Sequence, residues 1–346
     1  MKAIVLNGTS TTVVDSRPIP KLRDDYVLIK TVAVALNPTD AKAIAQGRGA
    51  KNGLSGCDFS GIVEEVGPSV TKPWRKGDRV FGCTHGANSS NAEDGAFAEI
   101  IVAKGDTCMT IPDGVSFEEA ATIGVSAITC GQGLLQTMKL NLPNNPILDT
   151  RYILIYGGST SAGTLAIQYA KLAGYSVLAT CSPRNVELVK SRGAEAVFDY
   201  NDPVCGQQIY EHTKGDLQLV WDTIGSEQGI QICMTALSTK PGCRYGTILL
   251  NEIPRKDVLC TSSVLMTFPG EEFDLFGKHF PASAEDFEFA KIFTGLTEKL
   301  LAEGKLKPHP VKLCEGGLQG VLDGLNLVRD GKVSGVKLVY RVADTP

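Results

Sequence analysis

The sequence has no apolar run of about 18 residues, so no segment is expected to cross a membrane. Its opening, "MKAIVLNGTS", holds too short an apolar stretch for a signal peptide and reads as an edge strand, which favours a cytoplasmic location. Positive charge is not in surplus: 34 Lys and Arg stand against 38 Asp and Glu, a net charge of -4. With no basic run carrying interleaved aromatics, a nucleic-acid surface is excluded. No C-x-x-C pair occurs, and the ten cysteines are scattered. They read as reduced, mostly buried thiols, and a disulfide framework is not expected. The histidines His85, His212, His279 and His309 fall in no H-x-x-x-H or H-E pattern, so no metal site is expected. Internal repeats and low-complexity segments are also missing. What remains is a soluble globular composition, 43% apolar and 21% charged. At 346 residues the chain exceeds one ordinary core, and two domains are expected.

The first third is rich in short β-type runs ("KAIVL", "YVLIKTVAVAL", "GIVEEVG", "DRVFG", "FAEIIVA") broken by Gly and Pro, as in a small barrel-like β region. "SFEEAATIGVSAITCGQGLLQTM" then takes helical spacing, opened by a capping box of Ser116 and Glu119. "KLNLPNNPILDT" reads as a linker or surface loop. From Tyr152 strands and helices alternate: "YILIYG", "SVLATCS", "AEAVFDY", "LQLVWDTI" and "RYGTILL" are candidate strands of a parallel, doubly wound sheet. After about Phe276 that rhythm ends in a long helix, a second helix and a final strand, "SGVKLVYRV". The expected organisation is α/β: residues 1–135 form the first part of a β-rich domain, 136–275 an inserted nucleotide domain, and 276–346 the return to the first domain.

Two further absences fall inside "YILIYGGSTSAGTLAIQYAKLAGYSVLATCSPRN". Gly157 and Gly163 keep the outer positions of a dinucleotide turn, but Thr160 replaces the middle glycine. In such folds the pyrophosphate sits on a helix N-terminus, here opened by Ser161, Ala162, Gly163 and Thr164, with hydroxyls of Ser159, Thr160, Ser161 and Thr164 as added donors. No acid ends the second strand, where a carboxylate would hold the ribose hydroxyls of NAD and repel a 2′-phosphate. Ser182, Pro183, Arg184 and Asn185 stand there instead, followed by Lys190, and Tyr200 ends the third strand. Arg can bind a phosphate bidentately, so the expected cofactor is NADPH.

With "NPTDAK", "GCDFSGIVEEVG", "GDRVFG", "GAFAEIIV" and "SFEEAAT", nearly the whole chain resembles the medium-chain dehydrogenase/reductase superfamily, which implies a GroES-like catalytic domain with an inserted Rossmann domain. Zinc alcohol dehydrogenases of that superfamily carry Cys where this chain has Asn37, and His-Glu where it has Cys57-Asp58. Only Cys83 and Cys108 fall near their structural zinc lobe. Alcohol oxidation uses a Lewis acid. Hydride addition to a conjugated C=C bond needs only donors for the developing enolate. The segments "LNPTDAK", "YGGST", "ATCSPRN", "KSRGAEAVFDY" and "LVRDGKVSGVKLVYR" resemble the enoyl reductases that act in trans with fungal polyketide synthases. That resemblance implies an α,β-unsaturated polyketide thioester delivered by the acyl carrier domain of a partner synthase. Zinc-free quinone or alkenal reductases, and a non-catalytic NADPH-binding redox sensor, are the alternatives.

The resemblance also implies roles. Lys42 lies near the nicotinamide and contributes to catalysis, and Thr129 lines the active-site mouth. Thr39, Asp40, Ala41, Leu250, Asn251, Val336 and Lys337 join the cofactor residues, with Lys337 against the pyrophosphate. Gly131, Leu134, Leu135 and Met138 line the substrate channel, and Thr267, Phe268 and Gly270 form its facing wall. A monomer is expected. The sheet edge, placed near "RYGTILLNEI", is followed by Glu252, Pro254, Arg255 and Lys256, which discourage pairing.

Overall fold

The longest strand, Tyr26–Ala35, is the spine of the first sheet in a computed structural model that describes residues 1–346. Its β-branched and small apolar residues alternate inward over a core that includes Ile29, Phe59 and Phe97. Asp58–Val66, Arg79–Cys83 and Met109–Thr110 extend this sheet on one side; Lys337–Arg341 and Val311–Cys314 extend it on the other. Ile100–Lys104 also pairs with the spine. The C-terminal strand therefore returns to the N-terminal sheet, pairing Val339 with Ala35 antiparallel. The capping box forms as read: Ser116 Oγ accepts from the Glu119 amide, and the Glu119 carboxylate accepts from the Ser116 amide.

The second sheet has six parallel strands, ordered Ala196–Asp199, Ser176–Cys181, Tyr152–Tyr156, Leu219–Asp222, Arg244–Thr247, Leu259–Ser262. In chain order this is 3-2-1-4-5-6, the dinucleotide-binding arrangement, with its switch point beside Tyr152–Tyr156. Ile153, Leu154 and Ile155 are all fully buried, as a strand covered on both faces requires.

The chain divides into Met1–Ile128 with Met266–Pro346, and Thr129–Leu265. The expected boundaries, 135/136 and 275/276, lie further along the chain. The helix Gly124–Cys130 runs through the first division. At the second, a turn at Thr267–Gly270 and a hairpin, Phe273–Leu275 with Lys278–Phe280, belong to the first unit. The hairpin was not expected, nor was the π-helix Gly131–Thr137. The sheet edge also needs correction. Arg244–Thr247 is an inner strand, and the edge is Leu259–Ser262. Leu259 and Cys260 are both exposed, so the segment lacks the alternation that marks a strand. Glu252, Pro254, Arg255 and Lys256 precede that edge, and Arg255 turns inward to the carbonyls of Leu237 and Ser238. They are not the edge guard that the sequence reading made of them.

Candidate active site

The glycine turn shows why its middle glycine can be dispensed with. Thr160 is the N-cap of the helix Ser161–Leu172, at φ -73° and ψ 162°, a conformation open to any residue. Its Oγ1 accepts from the Gly163 amide at 2.9 Å, donates to the Gly157 carbonyl at 2.9 Å and lies 3.0 Å from Thr223 Oγ1. The outer glycines are required. Gly157 has φ +77°, and a Cβ on Gly163 would sit 2.3 Å from the Gly157 oxygen. The turn thus keeps the close-packed helix N-terminus that a pyrophosphate needs. Thr160 and Thr164 aim their hydroxyls at backbone carbonyls, Gly157 and Ser161 respectively, rather than outward.

Thr223, which the sequence reading passed over, follows the fourth strand in chain order and ties it to the turn by donating to the Tyr156 carbonyl at 2.9 Å. Beside it, buried Asp222 accepts from the Ile224 and Gly225 amides and from Tyr245 Oη. An acid ending a strand before "TIG" was the available signal.

The Ser182–Asn185 segment is fastened to the same turn. Asn185 is buried and donates from Nδ2 to Ser159 Oγ at 3.1 Å and to Ser182 Oγ at 3.3 Å. Arg184 and Lys190 are exposed, and Ser182 and Tyr200 half-buried. Leu250 is exposed, while half-buried Asn251 donates to the Gly225 carbonyl. These groups suit the phosphates and adenosine side of a dinucleotide. Ser161, Ala162, Thr129, Gly131, Leu134, Leu135 and Met138 lie in this same unit. Leu134 and Met138 are fully buried, and the Met138 sulfur occupies the space above Gly246, beside Trp221. Both side chains serve as core here.

The first unit holds Thr39, Asp40, Ala41, Lys42, Val336, Lys337, Thr267, Phe268 and Gly270. Its central feature is a buried ion pair between Lys337 and Asp58. Asp58 Oδ2 also accepts from Asn37 Nδ2 at 2.8 Å, and Oδ1 from the Val125 amide at 2.7 Å. Lys337 Nζ reaches the Thr122 carbonyl at 3.3 Å. With its ammonium committed to these acceptors and only 3% of the residue exposed, Lys337 is not placed as a pyrophosphate ligand. Half-buried Val336 precedes it. Asp40 is buried too: Oδ2 accepts from the Asn37 amide, Oδ1 has no hydrogen-bond partner, and burial pushes the carboxyl up to about 6. Lys42, on the same helix Pro38–Ala45, is exposed.

Comparison with known proteins fits this geometry. Residues 23–113 match the alcohol dehydrogenase GroES-like domain, and residues 162–245 the zinc-binding dehydrogenase family. Trans-enoyl reductase resD of Aspergillus sclerotiorum is 45% identical over 99% of this chain and 100% of its own length. Trans-enoyl reductase ACTTS2 of Alternaria alternata is 42% identical over 99% and 98%. The chain belongs to the trans-enoyl reductase family. Among solved structures, an alcohol dehydrogenase superfamily protein from Novosphingobium aromaticivorans shares the fold at TM-score 0.81, with 23% identity over 99% of each chain. CurK enoyl reductase does so at 0.73, with 20% identity over 98% of each. As a member of this family the chain is an oxidoreductase of C=C bonds that uses a nicotinamide cofactor.

The zinc of the wider superfamily does not fit this trans-enoyl reductase. At the ligand positions stand Asn37, whose amide donates to Asp58, and Cys57, whose thiol is held well above its ordinary range by burial and then by the Asp40 charge. Asp58 is already satisfied by a lysine and two N–H groups. No cluster of three or more His, Cys, Asp or Glu is arranged to hold a metal. All ten cysteines are free, and eight are buried. No helix is long and apolar enough to cross a membrane.

Proposed function

We propose that this chain is a trans-acting enoyl reductase: hydride passes from NADPH to the β-carbon of an α,β-unsaturated polyketide thioester held on the acyl carrier domain of a separate synthase. The full-length identity to proteins named trans-enoyl reductases carries the reading. Selection of the 2′-phosphorylated cofactor is supported by the exposed Arg184 and Lys190 beyond the strand Ser176–Cys181, where no carboxylate stands.

When bound, the reduced nicotinamide supplies the hydride. The protein's task is to hold the negative charge that then gathers on the thioester oxygen. We assign that to Lys42, on a helix whose N-terminus is closed by Asn37 and Asp40, and to Thr129 of the helix Gly124–Cys130. Lys42 also serves to orient the cofactor ribose. A proton from solvent completes the α-carbon, so one hydride and one proton add across the double bond.

The test is loss of nicotinamide absorbance with crotonyl-coenzyme A, beside a free enal and a quinone, each with NADPH and with NADH. Thioester turnover with NADPH is expected. Turnover confined to the quinone or enal would move the chain to the small-molecule reductases, and equal use of NADH would remove the phosphate-site assignment.

A further inference from the structure

Lys42, assigned above to the developing enolate, stands on a short support. Its helix, Pro38–Ala45, has eight residues, fewer than the roughly 12–15 at which an isolated helix becomes stable in water. Contacts outside the helix must therefore set where it starts and which way it runs. Burial of Ala41 and Ala43 draws it inward, but apolar contact is non-directional. Direction has to come from hydrogen bonds.

Those bonds gather at the helix start. The Leu36 amide donates to the Leu338 carbonyl at 3.0 Å, which holds the preceding residue on the C-terminal strand. Asn37, the buried N-cap, then binds in two directions. Its backbone amide donates to Asp40 Oδ2 at 2.8 Å within the first turn. Its side-chain Nδ2 donates to Asp58 Oδ2 at 2.8 Å, across the fold.

Asp58 is itself immobilised. It is fully buried at the start of the strand Asp58–Val66, and Oδ1 accepts from the Val125 amide at 2.7 Å. Gly124 packs directly on that oxygen, since a Cβ there would come within 2.6 Å of it. Lys337 holds Oδ2 and also donates to the Thr122 carbonyl at 3.3 Å. Both carboxylate oxygens are thus fixed by groups from other elements. Net stability is a poor reason for such a centre, because apolar residues of similar volume often serve as well as a buried ion pair. Fixed geometry is what charge-assisted hydrogen bonds add.

We propose that Asp58 and Asn37 are positioning residues for the reduction. Asp58, locked by Lys337 and the Val125 amide, fixes Asn37, and Asn37 fixes the start of the helix that aims Lys42. Both act through Lys42. This rests on the enoyl-reductase reading above and on its assignment of Lys42.

The test is a double-mutant cycle on kcat and KM for crotonyl-coenzyme A at saturating NADPH. Asn37→Ala and Asn37→Leu both remove the donor to Asp58 and differ in the space they leave, so one stands in if the other fails to fold. Each is expected to lower kcat by about ten- to hundredfold with KM within about twofold of the parent, as a displacement of about 1 Å at a reacting group does. Lys42→Met should lower kcat at least as far. In the Lys42→Met background the Asn37 variants should then change kcat by less than about twofold, because the group they aim is gone. Asp58→Leu/Lys337→Met removes the acceptor and the charge together, and should follow the same pattern. A purely structural loss would instead lower kcat by the same factor in both backgrounds, and that result overturns the inference. So does a parental kcat in both Asn37 variants. Unchanged kcat in Lys42→Met would end the Lys42 assignment and this inference with it, leaving the enoyl-reductase reading in place. Failure of the parent on every thioester would overturn that reading itself.

Discussion

The glycine turn and the buried ion-pair site have each lost part of a motif their superfamily uses, and they make good the loss in opposite ways. In the turn, Thr160 replaces a glycine and its hydroxyl closes the helix start within three residues. At the ion pair, the metal-binding pattern is gone, and its place is taken by groups that meet only after folding: Asn37, Asp58, the Val125 amide and Lys337, the last 279 positions from Asp58. A local repair costs little to break. A buried charge pair does not, because either partner left alone is an uncompensated ion.

That contrast predicts its largest effect at Lys337. Lys337→Met strands the Asp58 carboxylate and is expected to destabilise the protein by about 3–5 kcal/mol in urea unfolding. The double variant Asp58→Asn/Lys337→Met should cost clearly less than the single one, since no unpaired charge remains. A single-variant cost under about 1 kcal/mol, the range of a surface pair, would end the contrast.

Asp40 sharpens it through pH. Burial lifts its carboxyl from 3.8 to about 6 in the folded state. Between those values the folded protein binds more protons than the unfolded one, so this group's contribution to stability falls as pH rises through the window. At pH 7.5 the penalty is fully present. Asp40→Asn is therefore expected to gain on the order of 2 kcal/mol there, with the gain vanishing near pH 4. His85 has the opposite sign: its folded pKa lies below the ordinary 6.5, so its contribution is lost as pH falls towards 4. The difference between variant and parent at each pH isolates Asp40.

Near the turn, Arg184→Ala tests cofactor choice. It should weaken NADPH binding by about 1–3 kcal/mol and leave NADH binding unchanged, measured by equilibrium titration. An unchanged NADPH affinity would pass the role to Ser182 or Lys190.

These residues also mark how far the sequence could be read. The five candidate strands, the capping box at Ser116 and the return of the C-terminal strand were legible because each is written in local periodicity or a short motif. The edge strand Leu259–Ser262 was not, because its exposed Leu259 and Cys260 break alternation. Met138 could be core or channel by spacing, and only its position over Gly246 distinguishes them. Lys337 was aligned to the pyrophosphate because sequence shows a lysine but not its distant partner. Asp58 sat in plain view in "GCDFS", without a sign that a lysine near the C-terminus would replace a metal.

The smallest predicted effect tests the local side of the contrast. Thr160→Ala removes the cap on Gly163 together with the bonds to Gly157 and Thr223, and should cost about 1 kcal/mol by chemical denaturation. Thr160→Gly restores the superfamily residue and should cost only a few tenths of a kcal/mol on capping grounds, since glycine is tolerated at an N-cap. If the turn repairs itself locally, both variants keep the fold and their NADPH affinities stay within about threefold of the parent, because phosphate binding draws on the helix N-terminus rather than on this hydroxyl. A Thr160→Gly cost approaching that of Lys337→Met would show that the contact with Thr223 couples the turn to its neighbouring strand, and the two regions would then differ in degree rather than in kind.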